Sequence, residues 1–165
     1  MIVVVMGVCG CGKTTVGQAL AESLGWPFHD ADDFHPPANV AKMAGGVPLT
    51  DDDRWPWLDR IVAEMRRALG GNGHAVIACS ALREAYRVRL AQAGDVRFVH
   101  LAGDYDTIAA RLASRSHRYM PASLLDSQFA ALEPPAGAIT IDVRDAVPGQ
   151  VSAIQAALGV AGVTR

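Results

Sequence analysis

The first apolar segment, Ile2 to Met6, runs five residues without a polar interruption and is rich in β-branched valine. An uninterrupted apolar run of that length predicts a strand buried on both faces, as in a parallel sheet. Four further short apolar segments repeat the signal: Trp26 to His29 ending at Asp30, Ala75 to Cys79, Val96 to Leu101, and Ala138 to Val143. Between them the apolar period changes to that of helices. Thr14 to Leu24 reads as one. Asp51 to Leu69 places apolar residues at 57, 58, 61, 62, 65 and 69, with three aspartates at its start and Gly70 and Gly71 at its end. Ser80 is placed to cap a helix running to residue 93, and Asp104 to cap one ending near Ser114. Ala122 to Leu132 is helical until Pro134 and Pro135, and Val147 to Leu158 forms the last helix. Residues 33 to 50 carry Pro36, Pro37, Gly45, Gly46 and Pro48 and read as loop around one short helix. Strands alternating with helices predict an α/β fold of three layers, a five-stranded parallel sheet with helices on both faces. No linker or repeat divides residues 1–165, so one domain is expected.

Composition changes this picture little. The chain is 50% hydrophobic and 19% charged, with a net charge of −2. No concentrated basic run is present, which argues against a nucleic-acid partner. The apolar stretches are strand-length, which argues against a membrane span. Nothing resembling a basic-then-apolar leader precedes the first strand, so a cytoplasmic location is expected. Three cysteines, two of them in one short loop, make no disulfide framework and fit a reducing compartment. Arginine supplies thirteen of the fifteen basic residues, and lysine occurs only at Lys13 and Lys42.

One of those lysines lies in a complete motif. Gly7-Val8-Cys9-Gly10-Cys11-Gly12-Lys13-Thr14 matches G-x-x-x-x-G-K-[ST] directly after a strand and before a helix. Glycines let successive backbone N–H groups turn inward around phosphate oxygens, and the following helix, with Thr15 in its first turn, adds its positive end. Lys13 is expected to reach the β- and γ-phosphates of ATP and the Thr14 hydroxyl to coordinate Mg²⁺. A second chemical signal is Asp30-Ala-Asp32 at the end of the second strand, the carboxyl edge where doubly wound sheets bind ligands. Alternation along an extended segment would send both carboxylates to one side. In phosphoryl transfer one such carboxylate can hold the metal's water shell, here Asp30, and the other, Asp32, can take the acceptor's hydroxyl proton.

The chain resembles the gluconokinases, small P-loop kinases that phosphorylate D-gluconate at its 6-hydroxyl with ATP. The resemblance rests on G-x-x-G-x-G-K-T at 7–14, D-x-D-x-x-H-P at 30–36, N-x-x-K-M at 39–43 and G-x-P-L-x-D-D-D-R at 46–54. It continues with W-L at 57–58, C-S-A-L-R-x-x-Y-R at 79–87, M-P-x-x-L-L-x-S-Q-F at 120–129 and L-E-P-P at 132–135. It implies ATP and Mg²⁺ as cofactors, a small sugar acid as partner, a homodimer, and a mobile lid over about residues 115–126. Gluconate carries a carboxylate and a row of hydroxyls. The resemblance implies that Arg54, Arg83 and Arg87 clamp the carboxylate, the last two being four residues apart and so expected on one helix face, and that His35 and Gln128 meet hydroxyls. Arg111 and Arg115 would reach over ATP, with Arg115 serving catalysis beside Lys13 and Asp32. The family's H-F-M before the lid methionine is replaced here by His117 and Arg118 in shifted places.

Two alternatives stay open on the residues alone. A shikimate kinase usually carries a triple glycine after its third strand, where this chain has Cys79-Ser80-Ala81. A regulator that binds ATP without turnover would need no acceptor-side base such as Asp32.

Overall fold

The computed structural model describes residues 1–71, 73–114 and 122–163, with only the backbone of Ala122. Strand β1 (Ile2–Met6) lies at the centre of a five-stranded sheet. It pairs in parallel with β3 (Ala75–Ala78) on one side and β4 (Val96–Ala102) on the other, with Val5 opposite both Ala78 and Val99. Outside these, β2 (Phe28–Asp30) adds to β3 and β5 (Ile139–Asp142) adds to β4, again in parallel. The order is β2-β3-β1-β4-β5. All five strands therefore end at one edge of the sheet.

Among the described residues seven helices connect and cover them: α1 (Lys13–Leu24), α2 (Pro37–Ala44), α3 (Asp51–Gly70), α4 (Glu84–Ala91), α5 (Tyr105–Ala113), α6 (Ala122–Ala131) and α7 (Val147–Leu158). The fully apolar β1 explains the three layers. Val3 and Val5, with Val76, Val99 and Leu101, pack against Val16 and Leu20 of α1, Ile108 of α5 and Ile154 of α7. Ile2, Val4 and Met6 turn the other way, onto Leu58, Ile61 and Met65 of α3 and Leu90 of α4. A strand with no polar position satisfies both faces at once. Among the described residues, no helix is long and apolar enough to cross a membrane.

Two elements differ from expectation, and both shape the site. The Asp30-Ala-Asp32 segment is not extended: β2 stops at Asp30, and Ala31–Phe34 form a 3-10 turn whose first N–H groups are capped by Asp30, which accepts from the Asp32 amide at 3.0 Å. Helix α4 begins at Glu84, so Ser80 is not its N-cap. The chain first passes through Ala81 in a left-handed conformation (φ +44°), and the extended Arg83 is the capping position. A distant carboxylate does what Ser80 was expected to do: Glu133 Oε2 accepts from the Glu84 amide at 2.6 Å.

Arg87 holds this turn. Its side chain is 4% exposed and donates through Nη1 to the carbonyls of Ala81 (2.8 Å) and Leu82 (3.0 Å). Nη2 donates to the Glu133 carbonyl (2.9 Å) and Glu84 (2.7 Å), and Nε to Glu84 (3.0 Å). All five guanidinium N–H groups are spent inside the protein. Arg87 is therefore removed from the proposed carboxylate clamp. Buried carbonyls stripped of their donor are costly, so Arg87→Met should lower the unfolding free energy by about 2–4 kcal/mol. Urea denaturation measures this, and an unchanged midpoint would show that the turn does not depend on Arg87.

Candidate active site

Between β1 and α1 the chain must reverse within six residues. Gly12 makes the turn into the helix in a left-handed conformation (φ +97°). At Gly7 (φ +147°) a Cβ would stand 2.9 Å from the Leu101 carbonyl oxygen and 2.7 Å from Cys11 Sγ, so only glycine fits. Cys11 fills the space under the loop and Cys9 is half-buried. Burial pushes both thiols up, against the opposing pull of Lys13, so these are packing groups in neutral form and not activated thiolates. Cys79, at the end of β3, is pushed up to about 12 by full burial. Lys13 Nζ donates to the Val8 carbonyl at 3.0 Å, bracing one side of the loop against the other. Thr14 and Thr15 are exposed on the first turn of α1.

The acceptor wall rises from the end of β2. The Thr14 hydroxyl donates to Asp30 Oδ2 at 3.4 Å, bringing together the two groups expected at the metal. Asp32 projects from the 3-10 turn with its side chain 85% exposed. Its oxygens are open to water, but the walls of the cleft partly desolvate the carboxyl, and this, with the neighbouring Asp30 carboxylate, raises its pKa against the pull of His35 and Lys13. Behind it His35 is only 4% exposed and stacks on Trp57 at 4.4 Å. Its Nδ1 lies 3.2 Å from the Asn39 amide nitrogen, whose orientation is set by a 2.9 Å bond to the Asp53 carbonyl. Nδ1 is then the acceptor and the imidazole proton sits on Nε2, 3.8 Å from Asp32 Oδ1. Burial, chiefly, holds His35 below its usual pKa and keeps it neutral. His35 thus stands at the back of the acceptor wall, beside Asp32. Lys42 is also committed: its ammonium bonds Asp53 at 2.7 Å beside the Thr50–Asp53 capping box of α3. Of the two lysines, only Lys13 belongs to the phosphate loop.

On the far side of His35 stands an arginine pair. Arg54 donates to the Leu49 carbonyl at 2.8 Å and lies 5.7 Å above the Tyr86 ring. Arg83, at the capping position before α4, is 48% exposed. Expecting Arg83 and Arg87 on one helix face was wrong because α4 starts between them: Arg83 points outward and Arg87 inward. Gln128 of α6 accepts from the Cys9 amide through Oε1 at 3.2 Å, so it touches the phosphate loop itself. Arg111, in the last turn of α5, donates to the Val143 carbonyl just after β5. Arg115, His117, Arg118 and the lid residues up to 121 lie outside the described residues, and 122–126 form the start of α6. Sequence reasoning missed Asn39, Trp57 and Tyr86 as working parts of the site. Each stands inside a quoted motif, but nothing in a lone Asn or aromatic marks it.

Among the described residues no group of three His, Cys, Asp or Glu could hold a metal. The donor set at Thr14 and Asp30, one hydroxyl and one carboxylate, suits a Mg²⁺ that takes its remaining oxygens from phosphates and water.

Comparison with known proteins places this arrangement. The shikimate kinase family model matches residues 9–126. A gluconokinase from Gluconobacter oxydans is 50% identical, covering 80% of this chain and 75% of its own. A thermosensitive gluconokinase from Escherichia coli is 44% identical over 80% of this chain and 71% of its own. The crystal structure of a gluconokinase from Sinorhizobium meliloti superposes with a TM-score of 0.83 and 41% identity, covering 95% of this chain and 90% of that one. The relatives and the solved structure that share 41–50% of its residues are gluconokinases, and this chain is a kinase that belongs to the gluconokinase family.

Proposed function

We propose that the chain transfers the γ-phosphoryl group of ATP to the 6-hydroxyl of D-gluconate, giving 6-phosphogluconate and ADP. The observation that carries this reading is the order of groups along one sheet edge. The Asp32 carboxylate feels the Lys13 ammonium, His35 Nε2 lies 3.8 Å from Asp32 Oδ1, and His35 in turn feels Arg54. A phosphate site, a base and a cationic pair follow one another, as an acceptor with a hydroxyl at one end and a carboxylate at the other requires.

The amides of Gly7 to Thr14 and the Lys13 ammonium hold the phosphates, and Thr15 extends the helix end that faces them. Thr14, and Asp30 through water, would hold Mg²⁺, which supplies charge neutralisation on the transferring oxygens. Asp32 accepts the proton of the attacking hydroxyl, with the neutral His35 ring beside it. Arg54 and Arg83 grip the carboxylate. Gln128, whose oxygen accepts from the Cys9 amide, would offer its NH₂ group to an acceptor hydroxyl. Arg111, and Arg115 beyond the described residues, complete the nucleotide side. A homodimer in the cytoplasm and a single catalytic domain belong to the same reading.

A coupled ADP-release assay tests it, with gluconate, shikimate and other sugar acids as acceptors. Gluconate should give turnover and shikimate none. Lys13→Ala should lower turnover by about 10²–10³ while circular dichroism shows an intact fold. Turnover with shikimate, or a Lys13→Ala variant near wild type, would overturn the assignment.

A further inference from the structure

Helix α3 opens with three aspartates, which by themselves would mean no more than a favourable helix N-terminus. The structure separates them. Asp53 is consumed by the capping box and Lys42, and Asp52 faces solvent. Asp51 turns away from its own helix toward α4. Its Oδ1 accepts from the Tyr86 hydroxyl at 2.5 Å and lies 3.7 Å from Arg54 Nη1, and its Oδ2 lies 3.6 Å from Arg83 Nη1. One carboxylate at the start of α3 thus ties an arginine of its own helix to an arginine and a tyrosine at the start of α4. Tyr86 in turn has Arg54 over its ring, and Trp55 packs edge-on against it at 5.8 Å. The Tyr86 hydroxyl is held in its protonated, donating form, first by burial and then by this bond.

The arginine contacts are at ion-pair range and not at hydrogen-bond range, which leaves guanidinium donors for an incoming anion. Arg83 makes no hydrogen bond through its side chain among the described residues. Two guanidinium charges less one carboxylate leave the group with a single positive charge. We propose that Asp51 is a specificity-determining residue that sets this end of the acceptor site to receive a monoanion: it holds Arg54 and Arg83 in position and cancels one of their charges, so that a carboxylate is preferred over both a neutral group and a doubly charged phosphate. This rests on the reading of Arg54 and Arg83 as the carboxylate site. A phosphate monoester, being a stronger hydrogen-bond acceptor, would otherwise suit paired arginines better than a carboxylate does.

The test uses three open-chain acceptors that differ at carbon 1 alone: D-glucitol, gluconate and D-glucitol 1-phosphate, at a pH of about 8 where the phosphate carries two charges. Binding of the first and third is read as inhibition constants against gluconate, so that slow turnover does not obscure it. Wild type should bind gluconate ahead of both. Asp51→Asn keeps an oxygen for Tyr86 and the same shape, and should shift the preference for the phosphate over gluconate by about tenfold or more. Asp51→Glu restores the charge and should return the wild-type order. An unshifted ratio in Asp51→Asn overturns the proposal, whether all three ligands weaken together or none changes. If wild type fails to prefer gluconate over D-glucitol, the arginine clamp itself is wrong, and that outcome is separate from the first.

Discussion

Asp32→Asn should lower kcat by about 10²–10⁴, the range that positioned general bases contribute, while ATP binding stays close to wild type. The asparagine keeps the shape and the contact with His35 but cannot accept the hydroxyl proton. Asp30→Asn should behave differently: its side chain meets Thr14 and caps the 3-10 turn, so its loss should raise the Mg²⁺ concentration needed for half-maximal rate. The pH profile separates the roles further. Asp32 works as the carboxylate, and its pKa is raised by partial desolvation in the cleft and by Asp30. Activity should therefore be full above that raised value and fall away as pH drops through it, with the acid limb displaced upward from that of an ordinary aspartate. Water around the exposed oxygens screens part of the repulsion from Asp30. The same limb should vanish in Asp32→Asn. Turnover near wild type in Asp32→Asn, with the loss appearing in Asp30→Asn instead, would exchange the two assignments.

Local pattern carried far in this fold because each strand is a short apolar run between residues that stop it. Ile2 to Met6 admits no other placement than the sheet's centre, and the Asp104 cap was legible because its carboxylate acts locally, accepting from Thr107 at 2.7 Å. The start of α4 was not legible for the opposite reason. Its cap comes from Glu133, 49 residues away, and its left-handed entry at Ala81 is held by Arg87 from one turn inside the helix. No window of neighbouring residues contains that information. The two motifs it joins, at 79–87 and 132–135, look like separate pieces of sequence and are one structural unit.

The site shows the same division. A glycine-rich loop declares itself because its chemistry is backbone chemistry at fixed spacing. Side chains placed by tertiary packing do not: stacking on Trp57 and the bond from Asn39 set the orientation of His35, and nothing in its sequence neighbourhood announces either. Asp30 does meet Asp32, but through the Asp32 backbone amide in a capped turn and not by strand alternation. Spacing of i and i+4 was a poor guide for Arg83 and Arg87, since it presumes a helix that had not yet begun at residue 83. Burial decides between them, and burial is a tertiary property.

That difference between two arginines gives the sharpest test of acceptor choice. Wild type should favour gluconate over glucose by about 10⁴ or more in kcat/KM, because a site built around a polar substrate group strongly rejects an analogue that lacks it. Glucose offers a similar primary hydroxyl and a similar number of polar groups, so hydroxyl contacts discriminate little. With glucose bound, the half-exposed Arg83 and its partner Arg54 would meet no substrate anion and keep only Asp51, and each charge-assisted hydrogen bond forgone is worth about 1.5–3 kcal/mol. Arg83→Ala removes donors from the clamp and should narrow the preference by about 10² through a loss confined to gluconate. Arg87→Met is the control, since its donors are already taken by Ala81, Leu82, Glu84 and Glu133. It should lower stability and, below its melting temperature, leave the gluconate-to-glucose ratio close to wild type. A ratio that collapses in Arg87→Met but survives Arg83→Ala would mean that the buried arginine, and not the exposed one, governs the acceptor.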